Sequence, residues 1–258
     1  MTHPHADDWD QHWTDFGAAA EAGPTPKYRR RIILSILAAD PPARLLEIGS
    51  GTGEFAEDFC ARYPSSEYLG LELSHTGVEL SSRRVPGVRF IQRDLLQPTN
   101  VAAGLDFGAT HAVCSEVLEH IDTPSTLLAN AACYMAPGCK LIVTVPGGPM
   151  SAFYRRIGHR RHYAASEITP ILESAGFQVE KSYDAGFPFF NLFRMFVTWR
   201  GEKLIPSISG PPSVTVRFGM WLFDRLFRLN LMRWGWQTVV VASLFRDDKI
   251  LRAERQPA

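Results

Sequence analysis

The sequence LLEIGSGTGEF, residues 45–55, places three glycines within five positions directly after a short apolar run. A glycine-rich turn between a strand and a helix exposes backbone N–H groups and lets a ligand approach the main chain. The spacing G-x-G-x-G, followed by Glu54, departs from the dinucleotide fingerprint G-x-G-x-x-G, and no G-K-[ST] follows as in a P-loop. A negative charge at the helix start would also repel phosphate. The turn therefore predicts an adenosine ligand that carries no phosphate.

A carboxylate suited to such a ligand follows the glycine turn. Glu72 lies near the end of the β-rich run EYLGLEL, residues 67–73, at the spacing of about twenty residues that a ribose-binding acid has in α/β folds. Two vicinal hydroxyls can both donate to one carboxylate. Glu72 is therefore a candidate acceptor for a diol.

Histidines follow two later β-rich runs, where they could act as a general base. His120 comes after the fourth run, and the segment GHRRHYAASE (158–167), after the fifth, contains His159, His162 and Tyr163. Imidazole accepts a proton near neutral pH, so we predict that these four residues hold the acceptor or take its proton. The alternatives are a loop histidine bonded to backbone at His120, and a hinge held by salt bridges at 158–167.

A metal site is not predicted, because the histidines and carboxylates do not share a short ligand-like spacing. The remaining histidines of the polar N-terminal segment are expected to be bystanders: His3, His5 and His12.

The elements that must position these residues alternate along the chain. β-rich runs lie at 43–49, 67–73, 88–94, 111–117, 140–147, 177–184 and 237–245, with helical segments at 27–39, 53–63, 75–84, 123–136 and 165–177. Several runs are apolar on successive residues, which is typical of strands covered on both faces. The pattern predicts an α/β, doubly wound, Rossmann-like fold with a mainly parallel sheet.

The glycine turn resembles the first motif of class I S-adenosylmethionine-dependent methyltransferases, with Glu47 at the place of its acidic residue. The segments CSEVLEHIDTP (114–124) and YMAPGCKLIVTVPG (134–147) resemble the fourth and fifth strand regions of that family. The resemblance implies a seven-stranded sheet with an antiparallel last strand, and S-adenosylmethionine as cofactor. It implies contacts to the cofactor from Glu47, Gly49, Ser50, Gly51, Gly53, Glu72, Leu73, Asp94, Leu95, Ser115 and Glu116. Among them, Glu72 takes the place of the family's ribose-binding acid, and Asp94 takes that of the aspartate that accepts from the adenine amino group, with Leu95 beside it.

The N-terminal segment resembles the entry helix of the same family, which folds over the cofactor. Tyr28 and Arg29, or Arg30 in its place, are expected to reach the methionine carboxylate. We therefore divide the chain into a closing segment (1–40), a cofactor-binding core (41–186 and 237–248) and a helical insertion (187–236).

The insertion carries aromatic and aliphatic residues at helical spacing, interleaved with arginines. A cap over an apolar acceptor pocket is the first expectation. A homodimer contact and a peripheral membrane contact are the alternatives.

Composition limits the function further. The chain has 258 residues, 45% of them hydrophobic, and a formal net charge of zero, which indicates one elaborated globular domain and no nucleic-acid partner. Four cysteines without a C-x-x-C spacing, and an N-terminus unlike a signal peptide, predict a cytoplasmic protein.

The predicted activity is methyl transfer to an O or N atom, with carbon as a further option, of an apolar or aromatic small molecule. A nucleic-acid methyltransferase is disfavoured, because an N/D-P-P-Y/F tetrad and a Pro-Cys nucleophile are missing. A cofactor-binding regulator without catalysis is the other alternative.

Overall fold

The computed structural model describes residues 8–14, 23–98, 107–200 and 214–245. Within them, one seven-stranded sheet has the order β3-β2-β1-β4-β5-β7-β6. The strands are β1 (Arg44–Ile48), β2 (Glu67–Glu72), β3 (Arg89–Gln92), β4 (Ala109–Ser115), β5 (Met135–Pro146), β6 (Phe177–Ala185) and β7 (Gln237–Leu244).

The first five strands are parallel, and β7 runs antiparallel to both β5 and β6. Leu45, Leu46 and Ile48 of β1 are all buried although successive side chains point to opposite faces. Helices therefore cover both faces, as the run of apolar residues predicted. The predicted α/β fold with a mostly parallel sheet is confirmed.

The helices connect these strands or flank the sheet. They are α1 (residues 9–14), α2 (Pro24–Leu37), α3 (Glu54–Arg62), α4 (His75–Arg84), α5 (Pro124–Ala131), α6 (Ala152–Arg156), α7 (Ala165–Ser174), α8 (Phe189–Arg200) and α9 (Val214–Leu226). Two cores result. One lies against α5 and α7, and the other against α2 and α3.

One predicted helix is shorter than its sequence pattern suggested. Helix α5 ends at Ala131, five residues before the expected end, because a 3₁₀ turn at Ala132–Tyr134 leads directly into β5. The Pro137-Gly138 pair lies at an irregularity of the β4–β5 pairing rather than at a helix end.

The insertion forms two helices in its described part, α8 and α9. Phe190 of α8 packs against Tyr28 of α2 and against Phe227, and Arg31 of α2 pairs with Asp224 of α9 at 2.6 Å. The outer faces of the two helices leave large apolar side chains exposed, among them Trp199, Phe218 and Trp221. None of the helices in the described ranges is both long and apolar enough to cross a membrane.

Candidate active site

A cavity of about 370 Å³ lies at the carboxyl ends of β1, β2 and β4. This is the edge at which open α/β sheets bind ligands, and the volume lies in the range of about 300–1,000 Å³ typical of small-molecule sites. The structure brings the following predicted residues to its wall: Arg29, Glu47, Gly49, Ser50, Gly51, Glu72, Leu73, Asp94, Leu95, Ser115, Glu116, His120 and His159.

The glycine turn between β1 and α3 has a conformation that favours glycine. Gly49, Gly51 and Gly53 have φ angles of +74°, +53° and +86°, in the region where a side chain is strained. A Cβ at Gly49 would clash with Val117, and one at Gly51 would lie 3.0 Å from the Trp13 ring. The backbone of this turn therefore forms part of the cavity wall.

The carboxylate of Glu72 is fixed at the end of β2. Its Oε2 accepts the Gly51 N–H at 2.7 Å, and its Oε1 accepts the Ser74 N–H at 3.0 Å. Burial raises the pKa of Glu72, whereas these backbone N–H groups lower it. Each oxygen has two lone pairs, so the carboxylate can accept further hydrogen bonds from a ligand in the cavity.

Glu47 of β1 is the second buried acid at the cavity. It accepts a hydrogen bond from the Tyr68 hydroxyl. Burial raises the pKa of Glu47 well above its ordinary value, and the nearby carboxylates of Glu54 and Glu72 add to this rise. Folding therefore shifts the equilibrium of Glu47 toward its neutral form relative to an exposed glutamate.

The adenine side of the predicted site lies after β3. Asp94 Oδ1 accepts the Leu96 N–H at 2.9 Å, which fixes the carboxyl group at the wall. Leu95 is buried beside it. Asp94 thus offers a hydrogen-bond acceptor to a ligand next to the apolar side chain of Leu95.

Helix α2 lines the cavity with one face only. Pro26, Arg29, Arg30 and Ile33 line it, at the i, i+3, i+4, i+7 spacing of a single helix face. Tyr28 projects about 100° away from Arg29 and packs in the core against Phe190 and Phe227. Tyr28 therefore lies outside the cavity wall, and its contact with the cofactor stays a prediction.

Helix α1, which lies within the predicted closing segment 1–40, forms part of the cavity wall. Trp9, His12 and Trp13 line the cavity, so His12 lies beside the site although no role was predicted for it. Asp10 accepts hydrogen bonds from Ser74 Oγ at 2.6 Å and from Thr76 N at 2.8 Å, which attach α1 to the start of α4. The polar sequence of this segment gave no local signal for that contact.

Two of the predicted histidines line the cavity. His120 follows β4. The centroid of its ring lies 4.8 Å from the ring centroid of Trp9 and 4.8 Å from that of His159. Its Nδ1 lies 3.0 Å from the Gly158 carbonyl oxygen. Because a carbonyl can only accept, Nδ1 carries the proton, and Nε2 is the unprotonated nitrogen of the neutral ring.

A chain of hydrogen bonds orients His159. His162 Nδ1 lies 3.1 Å from the Gly148 carbonyl oxygen, and His162 Nε2 lies 3.2 Å from His159 Nδ1. The carbonyl requires a proton on His162 Nδ1, so His162 Nε2 accepts from His159 Nδ1, and His159 Nε2 carries no proton. Burial lowers the pKa of His159 strongly and that of His162 to about 4, so both rings are neutral near pH 7.

Three further predicted residues do not line the cavity. His162 lies behind His159, where it positions that ring. Tyr163 is buried and its hydroxyl donates to the Leu118 carbonyl oxygen at 3.4 Å. Gly53 is crowded by Ser81 of α4, so it serves the packing of the loop.

The insertion does not contribute to the cavity wall in the part that the structure describes. Arg194 of α8 instead reaches the back of the histidine segment and donates to the Tyr154 hydroxyl and to the carbonyls of Gly147 and Trp236. The expectation of a cap over the acceptor is therefore not supported by the described residues.

The chain matches a family model described as a methyltransferase domain over residues 25–182, more than half of its length. The chain belongs to the class I S-adenosylmethionine-dependent methyltransferase family. The predicted family and its cofactor are thereby confirmed.

Two relatives of this chain have names that state their activity. It is 32% identical over 163 residues to a trans-aconitate 2-methyltransferase of Methylobacterium nodulans, which covers 61% of each chain. It is 33% identical over 92 residues to a malonyl-[acyl-carrier protein] O-methyltransferase of Methylococcus capsulatus, covering 33% of this chain and 34% of that protein. The similarity thus spans about three fifths of the first relative and one third of the second.

A solved structure has the same fold. N-methyltransferase NodS from Bradyrhizobium japonicum, in complex with S-adenosyl-L-homocysteine, superposes with a TM-score of 0.57 at 16% identity, covering 93% of this chain and all of NodS. At this identity the match bears on the fold alone.

The family's cofactor fits the cavity of this chain. Ser50 Oγ is buried at the wall and has no hydrogen-bond partner among the residues that the structure describes. Glu72 presents acceptors for ribose hydroxyls on one side of the turn, and a Cβ at Gly51 would narrow the cavity toward Trp13. The donor and acceptor groups therefore match an adenosine ligand. The guanidinium groups of Arg29 and Arg30 also line the cavity, where they pair with Glu116 at 3.5 Å and with Asp58 at 2.6 Å.

Proposed function

We propose that the protein transfers the methyl group of S-adenosylmethionine to a small-molecule acceptor. The observation that carries this proposal is the buried Glu72 carboxylate, which is bonded to the backbone of the glycine turn and faces the cavity. The Glu72 carboxylate can thus accept hydrogen bonds from a diol beside the glycine turn, where no side chain intervenes. Membership of the family supports the same activity.

The cofactor supplies an electrophilic methyl group on a sulfonium. The chain holds and orients the two reactants, and it excludes water from the place where they meet. Glu72 holds the ribose, Asp94 and Leu95 flank the adenine, and Arg29 or Arg30 holds the carboxylate. His120 and His159 present unprotonated Nε2 atoms at the wall, to which an acceptor O–H or N–H can donate.

We infer that the acceptor atom is oxygen or nitrogen and that the acceptor has an apolar part. Apolar side chains from several helices and strands contribute to the wall, among them Trp9, Ile33, Phe55 and Leu71. The name of the first relative designates a small molecule, trans-aconitate, and the name of the second designates an O-methyltransferase. Carbon methylation is the remaining option.

Two measurements test the proposal. Calorimetric titration with S-adenosylmethionine and S-adenosylhomocysteine measures binding, and transfer of a labelled methyl group to fractions of a metabolite extract measures activity. Glu72→Ala is the test variant. Glu67→Ala, at the exposed first position of the same strand, is the matched control.

We expect saturable binding that Glu72→Ala weakens at least tenfold, or about 1.4 kcal/mol, and that Glu67→Ala leaves unchanged. Labelling of a low-molecular-mass fraction would identify the acceptor class. An intact protein that binds neither ligand contradicts the proposal. Binding without transfer to any small-molecule, protein or nucleic-acid fraction would favour a regulator.

A further inference from the structure

The side chain of Glu119 is in an unusual environment. Its accessible surface is 0% of its full value, and neither carboxyl oxygen has a hydrogen-bond partner in the part of the chain that the structure describes. A buried carboxyl group without partners is costly, and native proteins provide such groups with a hydrogen bond, a proton or a cation. The carboxyl group of Glu119 therefore requires a hydrogen-bond donor, a proton or a cation beside it.

Two imidazoles lie beside this carboxyl group. Glu119 Oε1 is 3.9 Å from His120 Nε2, and one ligand atom each of Glu119, His120 and His159 lie within 4.8 Å of one another. The three residues come from the turn after β4 and the segment after α6, and the Arg160 N–H donates to the Glu119 carbonyl at 2.8 Å to hold the two together.

The orientation of both rings is that of metal-binding histidines. Such histidines donate one ring N–H to a backbone carbonyl or another acceptor, which leaves the second nitrogen to bind the metal. His120 donates from Nδ1 to the Gly158 carbonyl, and His159 donates from Nδ1 to His162, which in turn donates to the Gly148 carbonyl. Arg194 Nη2, at 3.5 Å from His162 Nδ1, is at the limit of a hydrogen bond.

We propose that Glu119, His120 and His159 bind a divalent first-row transition metal ion, such as Zn²⁺, Mn²⁺ or Fe²⁺. Two imidazoles and one carboxylate are a donor set that these ions accept, whereas Mg²⁺ and Ca²⁺ prefer oxygen ligands alone. The sequence analysis predicted no metal site because Glu119 and His120 are adjacent in sequence while His159 is distant. The fold brings the three together.

The site requires a small contraction on binding. Metal–nitrogen and metal–oxygen distances of about 2.0–2.2 Å place ligand atoms of a tetrahedral ion roughly 3.3–3.6 Å apart, compared with up to 4.8 Å here. Rotation of the Glu119 side chain and of the two rings can close this difference, because the three groups project from two separate segments.

The surrounding charges are compatible with a cation. Glu116 adds a second negative charge that acts on Glu119. Arg29 pairs with Glu116 at 3.5 Å, and Arg194 donates to three oxygen atoms of Tyr154, Gly147 and Trp236. Both guanidinium groups are thus bonded to other groups, although their positive charges also act on Glu119. Glu116 also has a φ of +58°, a strained conformation that is common at functional sites.

An ion at this site would lie next to the cavity that is proposed to hold the acceptor. His120 and His159 line the cavity while Glu119 lies behind its wall. An acceptor hydroxyl could then complete the coordination, and the ion would lower the pKa of that hydroxyl so that its proton is lost to solvent and its oxygen can attack the methyl group. With the metal on their unprotonated nitrogens, His120 and His159 would hold the ion instead of accepting this proton. This last step rests on the proposed function, whereas metal binding does not.

The test uses the metal alone. The full-length protein is freed of metal with a chelator, dialysed and titrated with Co²⁺, and the visible absorption bands of bound Co²⁺ are recorded together with competition by Zn²⁺. The test variants are Glu119→Gln and His159→Ala, and circular dichroism verifies that each is folded. His75→Ala, an exposed histidine on α4, and the double variant His3→Ala/His5→Ala are the controls.

We expect one Co²⁺ per chain, displaced by Zn²⁺, with an affinity that both test variants reduce at least tenfold and that both controls preserve. Absence of binding by the intact protein overturns the proposal, and a proton is then the partner of Glu119. Binding that the His3→Ala/His5→Ala variant removes, or that folded Glu119→Gln and His159→Ala retain, overturns it as well. Since neither cofactor nor acceptor is added, failure here is distinct from failure of the proposed function.

Discussion

Glu72 Oε2 accepts the Gly51 N–H at 2.7 Å, so the carboxylate that ends β2 is bonded directly to the glycine turn that follows β1. The bond fixes the acid and the turn relative to each other before any ligand arrives. Such pre-organisation lowers the cost of ordering these groups on binding.

Gly49→Ala should be more damaging than an equivalent change elsewhere. Both Gly49 and Gly87 have positive φ angles, but a Cβ at Gly49 clashes with Val117 whereas one at Gly87 meets nothing within 4 Å. We expect about 1–2 kcal/mol of destabilisation from the backbone in each variant, and roughly 1–3 kcal/mol more from crowding in Gly49→Ala. Urea unfolding measures both. Equal losses would contradict the crowding at Val117.

Trp13→Ala should weaken cofactor binding. The Trp13 ring covers Gly51 and lines the cavity, so its removal exposes the ligand to water. We expect a loss of about tenfold in affinity for S-adenosylhomocysteine, or roughly 1.4 kcal/mol, by calorimetry. Thr14→Ala, at the exposed end of the same helix, should bind as the intact protein does, and equal affinities for the two variants would argue against this wall.

Glu47→Gln should alter how stability depends on pH. The raised pKa of Glu47 means that its contribution to folding is fully present below its ordinary pKa of 4.5 and is lost as pH rises through the folded-state value. The glutamine variant lacks this titration and can still accept from Tyr68. Its melting temperature relative to the intact protein should therefore be higher at pH 8 than at pH 5.

The same melting series has an internal control. Glu67→Gln replaces an exposed carboxylate and should show a difference from the intact protein that does not change between pH 5 and pH 8. A pH-independent difference for Glu47→Gln as well would contradict the neutral form of Glu47.

Arg194→Met should destabilise the fold more than Arg200→Met on the same helix. Arg194 is 4% exposed and its guanidinium satisfies the Gly147 and Trp236 carbonyls and the Tyr154 hydroxyl, whereas Arg200 is exposed. Leaving buried acceptors without a donor costs about 1–3 kcal/mol each. We expect a loss of roughly 3 kcal/mol for Arg194→Met and less than about 0.5 kcal/mol for the surface change, measured by urea unfolding.

The strands and the glycine turn could be predicted because their signals are local. Successive apolar residues such as Leu45 and Leu46 indicate a strand buried on both faces, and closely spaced glycines indicate positive φ angles. Glu72 follows at a spacing that the fold dictates. These features need no knowledge of distant contacts.

The places of other residues in the structure depend on contacts between distant parts of the chain. Tyr28 and Arg29 are neighbours in sequence, but which of them faces the cavity depends on how α2 rests on the sheet. His12 belongs to a polar segment whose docking depends on Asp10 reaching Ser74, 64 positions away. Glu119 lies beside a predicted site residue, yet only the fold shows that its carboxyl group is buried.

Helix α1 has six residues, and the carboxylate of Asp10 attaches it to the start of α4. So short a helix is unstable on its own, so its place in the wall depends on docking. The rate of ligand exchange would then be limited by the rate at which this short helix detaches. Residence time and affinity could accordingly be tuned at Asp10, on the protein surface, without altering any group that the ligand touches.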